Sequence, residues 1–423
     1  MYRTDFAFAQ EMDATDPLRS YRDRFHLPLT KKGNPYLYFT GNSLGCQPKT
    51  TAKFIQTELE DWQYFGVEGH FHARNPWMPY HEFLTEAMAR IVGAKPEEVI
   101  VMNALTVNLH LMMVSFYQPS MSRFKIMIEA DAFPSDIYAV ESQLRFHGYD
   151  PKYALIKLYP RKGEHCIRTE DIEAQLEREG EKISLVLLGG VNYYTGQAFE
   201  FERIVKAGHA QGCMVGFDCA HAAGNLALHL HDWGVDFAVW CSYKYLNAGP
   251  GAVGGCFIHE NHLSNAQLNR FAGWWGHDKG SRFTMPDEFV PIPTAEGWQL
   301  SNAPILSMAA LRASLEIFEE VGMETLRKKS EKLTGYLEFL LDDIQDEVPL
   351  EVITPRDPKQ RGCQLSFLTQ SNGKKLFNYI SERGVITDWR EPNVIRMSPV
   401  PLYNRFEDVW RFVQILRAAA ENV

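Results

Sequence analysis

The chain has 423 residues, 45% hydrophobic and 23% charged, and its 43 basic against 53 acidic residues leave a net charge of -10. That length and balance allow a sizeable core and two or three domains of ordinary globular composition. An acidic chain lacks the dense basic face that nucleic-acid backbones require, which excludes nucleic acid as a principal partner.

The opening MYRTDFAFAQEMDATD carries acidic residues and no sustained apolar core, unlike a signal or transit peptide. The longest apolar runs, such as LVLLGGV and FAVWCSY, fall far short of the roughly 20 residues of a bilayer span. Seven cysteines (Cys46, Cys166, Cys213, Cys219, Cys241, Cys256 and Cys363) form no C-x-x-C pair. They read as buried free thiols of a protein kept in a reducing cytoplasm. The first forty-odd residues mix charge with turn formers and end in LYFTGNSLG, a strand leading into a loop. From about 50 to 300, helical stretches (TAKFIQTELEDWQYF, PYHEFLTEAMARIVG) alternate with the short apolar runs EVIVM, RFKIMIEA, ISLVLLGG, CMVGFD, DFAVWCS and GCFIHE. Runs with few alternating polar positions are strands covered on both faces, so the pattern predicts an α/β domain around a mostly parallel central sheet flanked by helices.

After Ser301 to Pro304 the character changes. Residues 305 to 345 carry helical spacing, with breaks expected at Gly322 and Gly335. Strand candidates LEVIT, CQLSFL and NVIRMS follow, with helices KKLFNYISER and FEDVWRFVQILRAAAEN, a smaller α+β C-terminal domain. The expected division is 1–45 as an N-terminal segment packing with the small domain, 46–303 as the large domain and 304–423 as the small one.

In open α/β sheets ligands sit beyond the carboxyl ends of the strands, so the residues just past each run matter most. After VIVM comes NALT and a helix, making Thr106 an expected helix N-cap and the helix start an anion site. After KIMIEADA comes the turn Phe133-Pro134-Ser135-Asp136, and after LVLLGG the exit holds Tyr194 and Thr195. Asp218 and His221 follow CMVGF; a carboxylate ending so apolar a strand needs a cationic partner. Lys244 stands between Tyr243 and Tyr245 at another exit, where partial burial frees a nucleophilic amine of the kind Schiff bases need. Each feature alone also has a bland structural reading: a plain capped helix, an ordinary turn, an internal ion pair, a snorkelling lysine. Together they match pyridoxal phosphate, which needs a carboxylate at its ring nitrogen, a lysine at its aldehyde, an anion site for its phosphate and a flat group over its ring.

Other motifs are weaker. Gly249-Pro-Gly251-Ala-Val-Gly254 matches a dinucleotide fingerprint only formally, because it runs into a strand and not a helix; its glycines read as letting backbone approach the Lys244 segment. His229 with His231, His70 with His72, and His259 with His262 lack a third ligand at a familiar spacing, so no metal is expected. Trp274 and Trp275 read first as core or interface packing.

Across most of its length the chain resembles the kynureninases, fold type I pyridoxal-phosphate enzymes. The resemblance rests on YFTGNSLG (38–45), MNALTVNLHLM (102–112), FPSD (133–136), YYTGQ (193–197), VGFDCAHAAGN (215–225), LHDWGVDFAVWCSYKYLNAGPG (230–251), GWWGH (273–277), SNAPIL (301–306) and IRMSPVPLYN (395–404). It implies hydrolytic Cβ–Cγ cleavage of L-kynurenine or its 3-hydroxy form to anthranilate or 3-hydroxyanthranilate and L-alanine, in tryptophan catabolism and NAD biosynthesis, by a cytoplasmic homodimer with shared sites. It implies Lys244, Tyr243 and Asp218 as catalytic residues, with Lys244 bonded to the cofactor and Asp218 at its ring nitrogen. Leu105, Thr106, Tyr194 and Tyr243 would hold the phosphate end, and Phe133, Pro134, Ser135, Asp136 and His221 the ring. Trp274 would reach the cofactor from the partner subunit, and Asn302 would also contact it. His70, Ser301 and Asn302 would read the substrate's aromatic end and Arg396 its α-carboxylate. One departure is Gly189, a position often serine in relatives. The nearest rival is a cysteine desulfurase or selenocysteine lyase, which needs a mobile nucleophilic cysteine; Cys363 has no flexible Gly/Ser loop around it.

Overall fold

A computed structural model describes residues 2–265, 267–369 and 372–420. The large body is built on a sheet of β1 (Val99–Val101), β2 (Lys125–Glu129), β3 (Leu155–Leu158), β4 (Ile183–Gly189), β5 (Met214–Asp218), β6 (Phe237–Trp240) and β7 (Gly255–Ile258). Their order is β1-β7-β6-β5-β4-β2-β3. Only β7 runs antiparallel to its neighbours; the other pairs are parallel. Six of these strands are the six apolar runs. Alternate residues serve two cores: Val186 and Leu188 join one, Leu185 and Leu187 the other. Both faces are therefore covered, as the runs required. The seventh, β3, escaped sequence reading because it is an edge strand with a lysine and three half-buried positions.

Helices α1 (Thr51–Phe65), α2 (Glu82–Val92), α3 (Leu105–Phe116) and α4 (Pro134–Phe146) belong to this body. So does α5 (Ile305–Val321), which packs on α1 and α2 and sends Met308, Leu311, Leu315 and Phe318 into the same core. Packing thus changes hands near Gly322 (φ +74), where α5 ends and α6 (Met323–Asp343) begins. Gly335 does not break α6: a side chain there would meet the Tyr2 hydroxyl at 2.8 Å, and one helical glycine costs only about 1 kcal/mol.

The small body holds an antiparallel sheet of β8 (Leu350–Val352), β9 (Leu365–Thr369), β10 (Asp388–Arg390) and β11 (Val394–Met397), ordered β8-β9-β11-β10. Helix α7 (Phe406–Ala420) closes the chain. Phe8, Ala9 and Phe39 share a core with Leu337, Phe367, Met397 and Phe412. Among the described residues no helix is long and apolar enough to cross a membrane.

Candidate active site

The carboxyl ends of β2, β4 and β5, the segment beyond β6 and the starts of α3 and α4 open into one cleft. It is lined by Leu105, Thr106, Glu129, Phe133, Ser135, Asp136, Gly189, Val191, Tyr193, Asp218, Ala220, His221, Tyr243 and Lys244. Nine of these are residues that the sequence singled out. A wider cleft lined by Glu164, Cys166, Glu200 and Gln360 contains none of them.

Local structure explains how each side chain arrives. The cap of α3 is Ala104, not Thr106 as expected; Thr106 lies in the first turn, and its hydroxyl bonds to that of Ser135 at 3.0 Å. Threonine was the better capping residue by type, but Asn103, in left-handed conformation (φ +48), turns the chain one step earlier. The start of α3 still aims unpaired amides at the cleft. The FPSD segment is likewise the start of a helix: Phe133 caps α4 and Pro134 takes its first position, where no N–H is needed. Lys244 lies in a turn closed by Asn247 (φ +53), whose N–H bonds to the Lys244 carbonyl at 3.0 Å. The glycine that permits close approach to this turn is Gly45, where a Cβ would sit 2.4 Å from the Lys244 carbonyl oxygen. In the Gly249–Gly254 run the expected close approach falls to Gly254 alone, where a Cβ would sit 2.7 Å from the Trp240 carbonyl oxygen; Gly249 and Gly251 have open space around them.

The electrostatics are those of a buried site with three carboxyl groups, Glu129, Asp136 and Asp218, around one lysine. Burial raises the Asp218 pKa, while Lys244, the Ala220 N–H at 2.7 Å and a bond from Asp136 oppose the rise. Asp136 is pushed well above the carboxylate range by burial and then by the Asp218 charge, so Asp136 is the member of the pair that keeps a proton. Burial and Lys244 hold His221 well below its usual value, leaving a neutral imidazole 3.1 Å from Lys244 Nζ. Burial also raises the Tyr243 hydroxyl, so it stays protonated. Lys244 Nζ stands 5.9 Å from the centres of both the Phe133 and Tyr243 rings.

Two buried polar atoms on this wall, Asp136 Oδ1 and His221 Nδ1, have no partner. A carboxylate and an amine lining one cleft, an aromatic ring beside them, unpaired helix amides and these orphaned atoms fit a pyridine ring bearing an aldehyde and a phosphate.

Other predicted residues lie outside the lining. Tyr194 stands behind Tyr193, ring centres 6.2 Å apart. Arg396 is buried beside the cleft, bonded to Asp388 and to the Tyr193 carbonyl. His70 bonds through Nδ1 to the Val67 carbonyl at 2.9 Å and packs edge-on against Trp77. Trp274 is 42% exposed, and Ser301 and Asn302 are exposed.

Sequence reading missed Glu129, Val191, Tyr193 and Ala220. Glu129 is 3% exposed, and burial pushes its carboxyl up to about 7. It could have been found, because it ends an apolar strand as Asp218 does. His231 and His259 do meet Glu98, but their rings are stacked 11° from parallel with centres 5.1 Å apart. An ion in the plane of one ring lies out of the plane of the other, and Glu98 already accepts from His231, Glu260 and Lys95. His262 turns instead to Asp236.

The sheet order and the site together define the fold type I class, and the residues of the site fit pyridoxal 5'-phosphate. Solved structures agree on the fold. An apo cysteine desulfurase from Thermococcus onnurineus superposes with a TM-score of 0.74 at 17% identity, over 92% of this chain and 95% of that one. A variant of C-DES with glycine covalently linked to its PLP cofactor gives 0.75 at 18%, over 90% and 96%. Residues 326–416 match the model of the kynureninase C-terminal domain. Kynureninase of Myxococcus xanthus is 59% identical over 99% of this chain and 98% of its own; that of Koribacter versatilis is 58% identical over 96% of each. The chain belongs to the kynureninase family.

Proposed function

We propose that this enzyme hydrolyses the Cβ–Cγ bond of L-kynurenine, or of its 3-hydroxy form, to anthranilate or 3-hydroxyanthranilate and L-alanine, within tryptophan catabolism and NAD biosynthesis. One observation carries the reading: Lys244 and Asp218 face a single buried cleft beside Phe133 and His221, in a chain closely similar to kynureninases over nearly its whole length.

Bound at Lys244, the cofactor supplies an electron sink next to the substrate's α-carbon. Asp218, the carboxylate helped to ionise by Lys244 and by the proton on Asp136, sits at the ring nitrogen. Phe133 covers the ring, and Pro134 starts the helix that delivers Ser135 and Asp136. His221, neutral and within a hydrogen bond of Lys244, holds the amine ready. Displaced by substrate, that amine takes the α-proton and returns it later. Water adds to the substrate's γ-ketone, the Cβ–Cγ bond breaks with its electron pair left on Cβ, and Tyr243, kept protonated, would donate the proton that Cβ takes as the aromatic acid departs. The amides of Leu105 and Thr106, with the hydroxyls of Tyr243 and Tyr194, hold the phosphate. The Arg396 guanidinium grips the α-carboxylate.

Trp274, His70, Ser301 and Asn302 serve the site of a second copy in a homodimer; their position outside the lining in a single chain supports this. Seven free cysteines, six of them buried, fit a cytoplasmic location. Residues 46–303 form the cofactor-binding domain, with α5 packed on it, and residues 1–45 pack with the small body. The desulfurase alternative is disfavoured because Cys363 is buried and its thiol is pushed up to about 12 by burial.

The test is Lys244→Ala. Wild type shows the visible band of bound cofactor and releases anthranilate and L-alanine from L-kynurenine, while the folded variant does neither; a colourless wild type that takes up no cofactor would overturn the reading.

A further inference from the structure

Glu129 ends β2, is 3% exposed, and takes no part in the reaction described above. Its Oε2 accepts the N–H of Gly189 at 2.9 Å, where β4 ends, and its Oε1 accepts from Asn192 Nδ2 at 3.5 Å. The Asn192 amide is not free to turn over. Its Oδ1 already accepts the N–H of Tyr194 at 3.0 Å, the N–H of Thr195 at 2.9 Å and the Thr195 hydroxyl at 3.1 Å. Only an oxygen can do that, so the nitrogen must face Glu129.

The residue inside this turn is Tyr193. Its carbonyl accepts from Arg396 Nη1 at 2.5 Å and from Gln364 Nε2 at 3.0 Å, and its ring stands edge-on to Phe133 at 5.3 Å. A line of hydrogen bonds therefore runs from the buried carboxyl, through one amide and one turn, to the guanidinium. A glutamate that only braced two strands would need the Gly189 bond and nothing more. The polarity of the second bond is what reaches across to the small body.

We propose that Glu129 is a positioning residue: through Asn192 it fixes the 192–195 turn, and through the Tyr193 carbonyl it fixes where Arg396 meets the substrate's carboxylate. This rests on the reading of Arg396 as the carboxylate anchor. Glu129→Gln replaces an acceptor with a donor that faces the Asn192 nitrogen, so one of the two amides must turn over and surrender its bonds. In the double variant Glu129→Gln/Asn192→Asp, donor and acceptor change places between the two side chains, at the loss of the second bond that Asn192 Nδ2 gives the Asp131 carbonyl at 3.3 Å. The side chain at 129 then donates to that at 192, which still accepts from the turn.

The experiment measures KM and kcat for L-kynurenine, together with the visible band of the holoenzyme titrated with L-alanine. Glu129→Gln raises KM and the L-alanine dissociation constant about tenfold and changes kcat less than about threefold, as expected for one charge-assisted bond lost from ground-state binding. The double variant recovers part of the loss in both constants, since the pairing between 129 and 192 is restored while the bond to the Asp131 carbonyl is not. Wild-type constants in the single variant, or a double variant no better than the single one, overturn the proposal. Should Glu129→Gln fail to fold, Asn192→Ala must raise both constants alone, and unchanged constants overturn it equally. Arg396→Gln separates the two readings: if it leaves L-alanine binding intact, the anchor assignment falls and this proposal with it. If it weakens binding while Glu129→Gln does not, only the role of Glu129 falls.

Discussion

Two carboxyl groups, Asp136 and Asp218, share one wall of the cleft, and their environments push them apart. Both are lifted by burial and eased by Lys244, but Asp218 is further favoured as the ion by the Ala220 N–H and the bond from Asp136, while its charge lifts Asp136 higher. Asp136 then acts as a carboxylic acid donating to its neighbour. Replacing Asp136 with Asn preserves shape and a donor, so Asp136→Asn is expected to keep the cofactor and change kcat less than about threefold, whereas Asp136→Ala, which removes the donor, is expected to lose about tenfold, the worth of one bond to a charged group. Asp218→Ala leaves the ring nitrogen without a counter-charge and is expected to keep the fold but lose roughly 10³-fold in kcat. Steady-state kinetics with cofactor content measured by absorbance checks both; near-wild-type turnover of Asp218→Ala would remove its assigned role. Asp218 and Lys244 were legible because each follows an uninterrupted apolar run, where a charged side chain is costly without a purpose. Glu129 obeys the same rule but stands inside KIMIEADA, where further acidic and small residues disguise the strand end as the start of a loop.

At the scale of elements, the strand–helix alternation was readable because parallel strands covered on both faces have a distinctive composition. The edge strand β3 was not, since its half-buried positions resemble those of a loop. Cap positions were also illegible: which of Asn103, Ala104 or Thr106 starts α3 is decided by a single positive φ. Close approaches such as that of Gly45 depend on distant segments. A methyl at Gly45 meets backbone atoms at 2.4 Å (the Lys244 carbonyl oxygen) and 2.8 Å (Asn247 Cα), which cannot rotate away. Gly45→Ala is therefore expected to cost about 1–3 kcal/mol and to loosen cofactor retention, read from the denaturant midpoint and from cofactor released on dialysis. A second prediction concerns Asp236, which joins the start of β6 to β5 and to two helical segments by accepting from His209 at 2.8 Å, His262 at 2.7 Å and the Val215 N–H at 2.7 Å. The bond to Asp236 raises the His209 pKa above 6.5 despite partial burial. A proton held more tightly in the folded state stabilises fully below about 6.5, the unfolded value, and that contribution is lost as pH rises through the folded one. Melting temperatures between about pH 5.5 and 8.5 should therefore fall less with pH in His209→Gln than in wild type, as removal of one titrating group requires. Parallel curves would refute the assignment.

For the whole molecule, the sequence showed where two bodies exist but placed the boundary by composition, at the end of SNAP. Packing instead follows α5, whose apolar face is buried against α1 and α2, so the change of body comes at Gly322. Nor does a single chain bring His70, Trp274, Ser301 and Asn302 to Lys244, although the family resemblance groups them at one site. If these residues cross to a second copy, complementation must follow from symmetry. Lys244→Ala and Trp274→Ala are each expected to be nearly inactive as homodimers. In a heterodimer of the two, one site contains both lesions and the other contains neither. Co-expression from two tags at equal levels gives half heterodimers, each with one intact site of two, so the mixture recovers about a quarter of wild-type turnover. Heterodimers isolated by both tags should show about half. A site built from one chain would recover nothing, because every protomer would still carry its own lesion; turnover of the doubly purified heterodimer thus decides whether Trp274 acts in its own subunit or across the dimer.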